Sequence, residues 1–434
     1  MNTQAVTIND QKKKMRAAYA LIWLCWLAYT CSYIGKVNYS ANITQIIDFY
    51  KIGKDDAGLV GTFLFFSYGV GQFVNGFLCK KYNLKWMIFA SLMTSGAVNL
   101  AVALTPSFVI VKYLWLINGF ALSVLWPCVI RLLSESLSKK YMAKATVIIG
   151  TTVAAGTFAI YAASALFASF DAFKLAFYTA AVVMPAVAII WIFAVPRIMR
   201  NAKELCCEEE EEHTPGAEVH EEAQSNGAGL KKALYLSVVI LAIYAVATNL
   251  IKDGLTTWIP SILKENYALD DSFSIVLSLS LPMVSVFGNF FAVSMHKKIP
   301  NFVFQCAATF FTAGAVTAIV IGGLSWGQFI ITLVGFALVC FMVSSCNSLI
   351  TSIFPLFMKK KINSGMMAGM LNGCCYVGST IASYGLGLVA ETAGWSAVFW
   401  LLFAVCMLVC VIAAVYWVIN KAIKKKYAIT DKNL

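Results

Sequence analysis

The sequence predicts an all-α membrane protein with twelve transmembrane helices in two pseudo-symmetric six-helix halves. Three observations carry this. First, 60% of the 434 residues are hydrophobic and the mean hydropathy is +0.76, against roughly 45–50% apolar residues in soluble domains. Second, apolar stretches of about 20 residues recur along the whole chain, the length a helix needs to cross a bilayer core. Third, a single long polar stretch, Arg197 to Lys232, divides those stretches six and six.

In chain order the expected spans are Ala17–Lys36, Ala57–Leu78, Trp86–Leu104, Phe108–Leu133, Ala145–Phe170 and Leu175–Val195 in the first half. Ala233–Trp258, Phe273–Met295, Phe302–Leu324, Gly327–Phe354, Gly365–Ala390 and Ser396–Ile419 follow in the second. The domain plan is a cytoplasmic tail (1–16), a first half (17–195), a linker (196–232), a second half (233–420) and a basic tail (421–434). The first apolar stretch is too long for a signal-peptide core, so the first helix is expected to stay. The linker contains Glu208–Glu212, Pro215, Gly216 and Ser225–Gly229. Such a composition cannot bury a core and predicts disorder.

Charge sets the topology. The 33 Lys and Arg outnumber 21 Asp and Glu, giving +12. Most of the cations lie in the tails, the linker and alternate loops: Lys12–Lys14 with Arg16, Lys80/Lys81/Lys85, Lys139/Lys140/Lys144, Lys297/Lys298, Lys359–Lys361 and Lys421–Lys432. The positive-inside rule places both termini and the linker in the cytoplasm. The charge is therefore topological and calls for no nucleic-acid partner. Thirteen cysteines, mostly within apolar stretches, read as small hydrophobes. Cys206, Cys207, His213 and His220 fit no standard zinc spacing, and His296 reads as an interfacial loop residue. No metal or cofactor is expected. The absence of a nucleotide-binding motif or catalytic triad argues against an enzyme or a nucleotide-driven pump.

Two lysines sit where lysine is costly. Lys36 closes the first apolar segment and Lys252 lies inside the seventh. A cation at bilayer depth costs roughly 2.5–3.5 kcal/mol on insertion scales. Their matching places in the two halves predict a paired cationic site near the midplane, holding an anionic solute. In the competing reading Lys36 snorkels to the interface and Lys252 pairs with Asp253. Neighbours on a helix diverge by about 100°, which makes Asp253 a poor partner for Lys252.

Other polar residues fall on the same helical stripes. Tyr29 and Tyr33 precede Lys36 by seven and three residues, and Thr248 and Asn249 precede Lys252 by four and three. Such spacings stack side chains on one face. Tyr68, Gln72, Trp126, Asn372 and Tyr376 are further lining candidates, for which ordinary helix packing is an equal reading. Arg131 and Glu135, one turn apart, read as a gate or structural ion pair. Asp253 is the clear intramembrane carboxylate and the candidate proton site.

Several of these positions form motifs. Tyr33-Ile-Gly-Lys36-Val-Asn38, Trp126-Pro127-Cys128-Val129-Ile130-Arg131, Lys252-Asp253-Gly254 through Trp258-Ile259-Pro260, and Ala368-Gly369 with Asn372, Tyr376 and Gly378 occur in register over the twelve spans. Together with Gly394-Trp395 they resemble the organophosphate:phosphate antiporter branch of the major facilitator superfamily. Two phosphate-binding arginines of that branch correspond to Lys36 and Lys252, its fifth-helix histidine falls near Val153, and a second-helix lysine of some members falls at Gln72.

The resemblance implies the major facilitator fold and a secondary transporter, monomeric, in the cell (inner) membrane. It implies exchange of a phosphate ester for inorganic phosphate by alternating access. Two alternatives stand beside it: a proton-coupled symporter of an organic acid such as a sugar acid, and a membrane sensor of sugar phosphate.

Overall fold

The computed structural model describes residues 2–78, 81–137, 139–206, 227–357 and 364–426. Every regular element among them is helical. In order they are α1 (Asn2–Ala41), α2 (Ile43–Tyr50), α3 (Lys54–Leu78), α4 (Leu84–Leu104), α5 (Phe108–Leu122), α6 (Leu125–Ser136), α7 (Lys139–Ile149), α8 (Thr152–Ala168) and α9 (Lys174–Cys206). After the linker come α10 (Gly227–Tyr267), α11 (Asp271–Ser278), α12 (Ser280–His296), α13 (Phe302–Ser325), α14 (Phe329–Ser348), a π-helical turn (Leu349–Ile353), α15 (Phe354–Phe357) and α16 (Ser364–Lys426).

Among the described residues, eleven stretches are long and apolar enough to cross a membrane. The last, Gly369–Ile423, has 55 residues, about 80 Å of helix and far more than one bilayer. It is interrupted at Gly394, whose φ is +78°, and so carries the eleventh and twelfth expected spans. Large apolar side chains such as Phe170, Tyr235 and Phe290 remain exposed, as lipid-facing positions require. The protein is a multi-pass membrane protein.

The chain folds into two compact units. One comprises Met1–Lys51, Phe63–Pro215 and Asp270–Leu279; the other comprises Ile52–Thr62, Gly216–Leu269 and Ser280–Leu434. In the first, α1 packs on α8 and α9, and α4 packs on α9 and α5. Trp115 and Trp191 are fully buried there. Ile275 and Leu279 seal on Ile160, Tyr161 and Ala165 of α8, and Thr44 Oγ1 donates to Asp271 Oδ1 at 2.7 Å. In the second unit α10 packs along α16, and α14 on α12 and α13. The start of α3 docks there: Lys54 Nζ lies 3.0 Å from Glu265 Oε2, and the Lys54 backbone N–H donates to Glu391 Oε2 at 3.1 Å.

Three helix breaks fall at a proline, although Pro185 and Pro196 of α9 and Pro260 of α10 sit within continuous helix. A proline ring strikes the carbonyl four residues back. Pro127 acts on Ser123, between α5 and α6; Pro282 acts on Ser278, between α11 and α12; Pro355 acts on Thr351, inside the π-helical turn.

Three features depart from the sequence reading. Lys36 does not end its helix, because α1 continues to Ala41. Helix also reaches into the linker: α9 runs to Cys206 and α10 starts at Gly227, through residues of good helix propensity such as Ala, Lys, Glu and Leu. Cys207, His213 and His220 lie outside the described residues. His296 is the last residue of α12, not a loop residue, and its Nδ1 lies 2.9 Å from Gln305 Oε1.

Candidate functional site

In the first unit, Lys36 sits on the inner face of α1 and is only 9% exposed. Its ammonium lies 4.1 Å from the ring centre of Tyr68, 5.6 Å from Tyr33 and 5.7 Å from Phe65. Three ring faces within about 6 Å stabilise a cation through their quadrupoles, by up to about 2 kcal/mol for a desolvated contact. Tyr33 continues into Tyr29 (5.6 Å between ring centres) and Tyr29 into Trp126 (5.2 Å). Tyr29, Tyr33, Tyr68, Trp126 and Lys36 thus form one continuous aromatic-cationic surface. Gln72 lies one turn beyond Tyr68 on α3 and is half-buried.

The backbone under Lys36 is braced by amides. The Gly35 carbonyl accepts from Asn118 Nδ2 at 2.8 Å and Asn99 Nδ2 at 3.2 Å. Asn38 Nδ2 donates to Asn99 Oδ1 at 2.7 Å. On α8, a Cβ at Gly156 would strike the Thr30 carbonyl and Tyr33 Cβ. Only a glycine lets α8 come this close to the turn that bears Tyr33.

On α6, Arg131 Nε and Glu135 Oε1 meet at 2.6 Å. The pair is partly exposed, where ion pairs contribute about 0–1 kcal/mol.

In the second unit, Lys252 Nζ reaches Asp253 Oδ1 at 3.6 Å. The angular argument made this a poor pair. The structure makes the contact because the flexible four-carbon lysine stem carries its ammonium around the helix. Asp253 is held firmly: its Oδ2 accepts from Ser379 Oγ at 2.5 Å and from Asn249 Nδ2 at 3.2 Å. Asn347 Nδ2 donates to Asn249 Oδ1 at 2.5 Å, and Thr351 Oγ1 donates to the Asn347 carbonyl at 2.8 Å. The network therefore runs from α10 through α14 and α16 into the π-helical turn. Close approach of α16 depends on Gly378, where a Cβ would strike the Val246 carbonyl.

Asn372 and Tyr376 lie half-buried on α16, seven and three residues before Ser379. The sequence reading missed Phe65, Asn347 and Ser379. Phe65 precedes Tyr68 by one turn, and Ser379 extends the Asn372–Tyr376 stripe, so helical spacing held both signals. Asn347 stands in the polar run Ser344-Ser345-Cys346-Asn347-Ser348. No cluster of three or more His, Cys, Asp or Glu able to hold a metal occurs among the described residues.

The helices thus carry cations inside their spans, Lys36 against aromatic rings and Lys252 beside Asp253. The Major Facilitator Superfamily profile matches residues 25–364, and the chain belongs to that superfamily. Membership of that superfamily makes it a transporter and not an enzyme.

The chain is similar to the membrane sensor protein UhpC of Escherichia coli strain K12, 26% identical over 114 residues covering 26% of each chain. It is similar to a probable hexose phosphate transport protein of Chlamydia pneumoniae, 26% identical over 136 residues covering 30% of each. These matches thus span between a quarter and a third of the relatives' length. A longer match, to sugar phosphate exchanger 3 of Bos taurus, is 21% identical over 387 residues, 79% of this chain and 76% of the other. These names are consistent with the organophosphate:phosphate antiporter branch that the motifs resemble.

Among solved structures, a bacterial homolog of the human lysosomal transporter Spinster superposes with a TM-score of 0.71 at 13% identity, covering 94% of this chain and 98% of that one. A D-xylose-proton symporter gives 0.67 at 8% identity, covering 91% and 97%. At these identities the likeness shows the fold alone.

Proposed function

We propose that this transporter carries an organic anion, a phosphate ester, in exchange for inorganic phosphate. Lys36 and Lys252 jointly hold the anion as the carrier alternates its access. It works in the cell (inner) membrane as a monomer, with both termini and the linker on the cytoplasmic side. The observation that carries this reading is Lys36: a buried lysine whose ammonium lies against the rings of Tyr33, Phe65 and Tyr68, with Tyr29 and Trp126 continuing the aromatic surface from Tyr33. An intramembrane cation is expensive, and an anionic solute offsets the cost. Lysine serves as a compact, adaptable point charge toward phosphate or carboxylate. The relatives named for hexose phosphate and sugar phosphate support the solute class.

The test is counterflow in proteoliposomes. Vesicles loaded with inorganic phosphate should accumulate labelled glycerol 3-phosphate or glucose 6-phosphate, and should still do so when the proton gradient is collapsed. Lys36→Gln and Lys252→Gln should each abolish uptake while inserting normally, and the arginine variants should keep part of it. Near-normal uptake by the double Gln variant overturns the paired site.

The half-buried Asp253 beside Lys252 favours, as second reading, proton-coupled symport of an organic acid. In that case gluconate uptake should follow an imposed proton gradient and need no internal anion. Binding of glucose 6-phosphate without flux would instead favour the sensor reading.

A further inference from the structure

We propose that a recess bounded by α3, α4 and α5 is a binding site for one anionic phospholipid, with an acyl chain in the recess and the phosphate at Lys85. The recess, its direction and the residues at its mouth each point there.

The recess measures about 560 Å³, within the range of roughly 300–1,000 Å³ typical of ligand sites. Phe66 and Val70 of α3 form one wall, Ala90 and Thr94 of α4 the other, and Ile117 and Phe120 of α5 the floor. Close contacts hold both walls to the floor. Ser91 Oγ donates to the Ala121 carbonyl at 2.6 Å, and a Cβ at Gly119 would strike the Leu64 carbonyl. The small side chain of Ala90 leaves the space between the walls open.

The recess faces away from the Lys36 site. A helix turns about 100° per residue, which puts Phe66, Ser67 and Val70 about 180° round α3 from Phe65 and Tyr68. Phe66, Val70, Ile117 and Phe120 are exposed within their spans, as lipid-facing side chains are. The serine hydroxyls of the lining are satisfied from within: Ser67 donates to the Leu64 carbonyl and Ser91 to that of Ala121. Such a lining accepts an apolar occupant.

The mouth is cationic and aromatic. The recess lies along the first half of α4 and the second half of α5, so it runs toward the turn that carries Lys81 and Lys85. Trp86 stands one turn before Ala90, and Lys85 Nζ lies 5.4 Å from its ring centre. Trp86, Tyr82 and Lys81 are exposed, the composition of a membrane–water interface. The turn is held in place. Asn83 Oδ1 accepts from the Lys85 backbone N–H at 3.0 Å, and the Lys85 carbonyl accepts from Trp191 Nε1 at 3.1 Å. From Met87 to Thr94 the α4 wall is about 10 Å long, against roughly 15 Å of hydrocarbon in one leaflet. One chain entering from the leaflet beside Lys85 can fill it.

Lipid tails are as apolar as the wall, so a chain gains no hydrophobic energy by leaving bulk lipid. Selection rests on fit within the recess and on charge at its mouth, which is why the occupant is an anionic lipid.

The experiment is native mass spectrometry of the purified full chain in detergent, titrated with phosphatidylglycerol or with phosphatidylcholine of the same chains. Wild type should bind one phosphatidylglycerol about fivefold more tightly than phosphatidylcholine, the contribution of one lysine to an anionic headgroup. Lys85→Gln should bring the two lipids to near parity, and Lys85→Arg should keep the preference. Ala90→Phe should fill the recess and remove tight binding of both lipids. Val411→Phe, at an exposed position of α16, should bind as wild type does. Ala90 is exposed, so the added ring displaces no core; if that variant does not fold, Thr94→Phe, also at an exposed position, serves in its place. Inorganic phosphate, which carries the charge without the chain, should not displace the lipid.

Wild-type lipid binding in both filled variants overturns the site. Equal affinity of wild type for the two lipids, an unchanged preference in Lys85→Gln, or displacement by inorganic phosphate overturns the anionic phospholipid. A wild-type dimer that Ala90→Phe dissociates would give the recess to a second copy of the chain and overturn the proposal as well. None of these outcomes touches the Lys36 site or the counterflow test.

Discussion

Lys36 sits against the faces of three aromatic neighbours, Tyr33, Phe65 and Tyr68. With 9% exposure the ammonium is dehydrated, and ring quadrupoles become worth more than they are at a surface. Tyr68, at 4.1 Å, makes the tightest of the three contacts. Tyr68→Leu should lower the unfolding free energy of the unliganded protein by about 1–2 kcal/mol, read as a lower thermal midpoint in detergent. Tyr68→Phe keeps the ring and should stay near wild type in this respect. Equal losses in both variants would assign the effect to the hydroxyl instead. Lys252 was legible in the sequence for the same reason as Lys36, as a charge inside an apolar run. Its contact with Asp253 was not, since angular separation along a helix says little about where four methylenes carry a charge.

Helices in this protein are set by two kinds of small sequence signal. Prolines four residues beyond Ser123, Ser278 and Thr351 fall at three breaks, and the last lies at the π-helical turn that receives the Asn347 network. Glycines set how closely helices approach. The two halves use the device in parallel: Gly156 brings α8 onto α1 beside Tyr33, and Gly378 brings α16 onto α10 at Val246 and Leu250. In each case the obstructing atom is backbone, which cannot turn aside as a side-chain tip can. Gly156→Ala and Gly378→Ala should therefore each cost about 1–3 kcal/mol through overpacking and reduce uptake at unchanged expression. Gly385→Ala on the same α16, where the nearest atom is Ile381 Cγ2 at 4.0 Å, is the control. It should be neutral or mildly stabilising, as expected when Ala replaces a helical Gly. Equal damage at all three positions would remove close approach as the explanation. The glycine-rich character of these two helices was visible in the sequence; which glycine meets which carbonyl was not.

On the scale of the whole molecule, the proposed orientation rests on the cations in the tails, the linker and alternate loops. Reporter fusions within 207–226 and after Lys426 should both report a cytoplasmic location; a signal from the opposite side at either place would overturn the proposed orientation. The chain's pseudo-symmetry extends to its two compact units. Ile52–Thr62 of the second span belongs to the C-terminal unit, and Asp270–Leu279 of the eighth belongs to the N-terminal one. Lys54 with Glu265 and Glu391, and Thr44 with Asp271, fasten these segments.

The sequence by itself determined the solvent of this protein and its all-helical, many-span class, and it pointed to the two lysines as costly charges in apolar runs. Each follows from quantities local to a stretch of about 20 residues: hydropathy, charge placement and the cost of a lone cation in hydrocarbon. Motifs in register carried the family. Only the tertiary structure decided that Phe65 and Tyr68 close over Lys36, that Asn347 and Ser379 hold the carboxylate beside Lys252, and that segments of the second and eighth spans pack with the opposite units. Those contacts join residues far apart in the chain. They are fixed by which helix faces meet, and in lipid that meeting depends on packing and interhelical hydrogen bonds rather than on apolar patterning along any one helix.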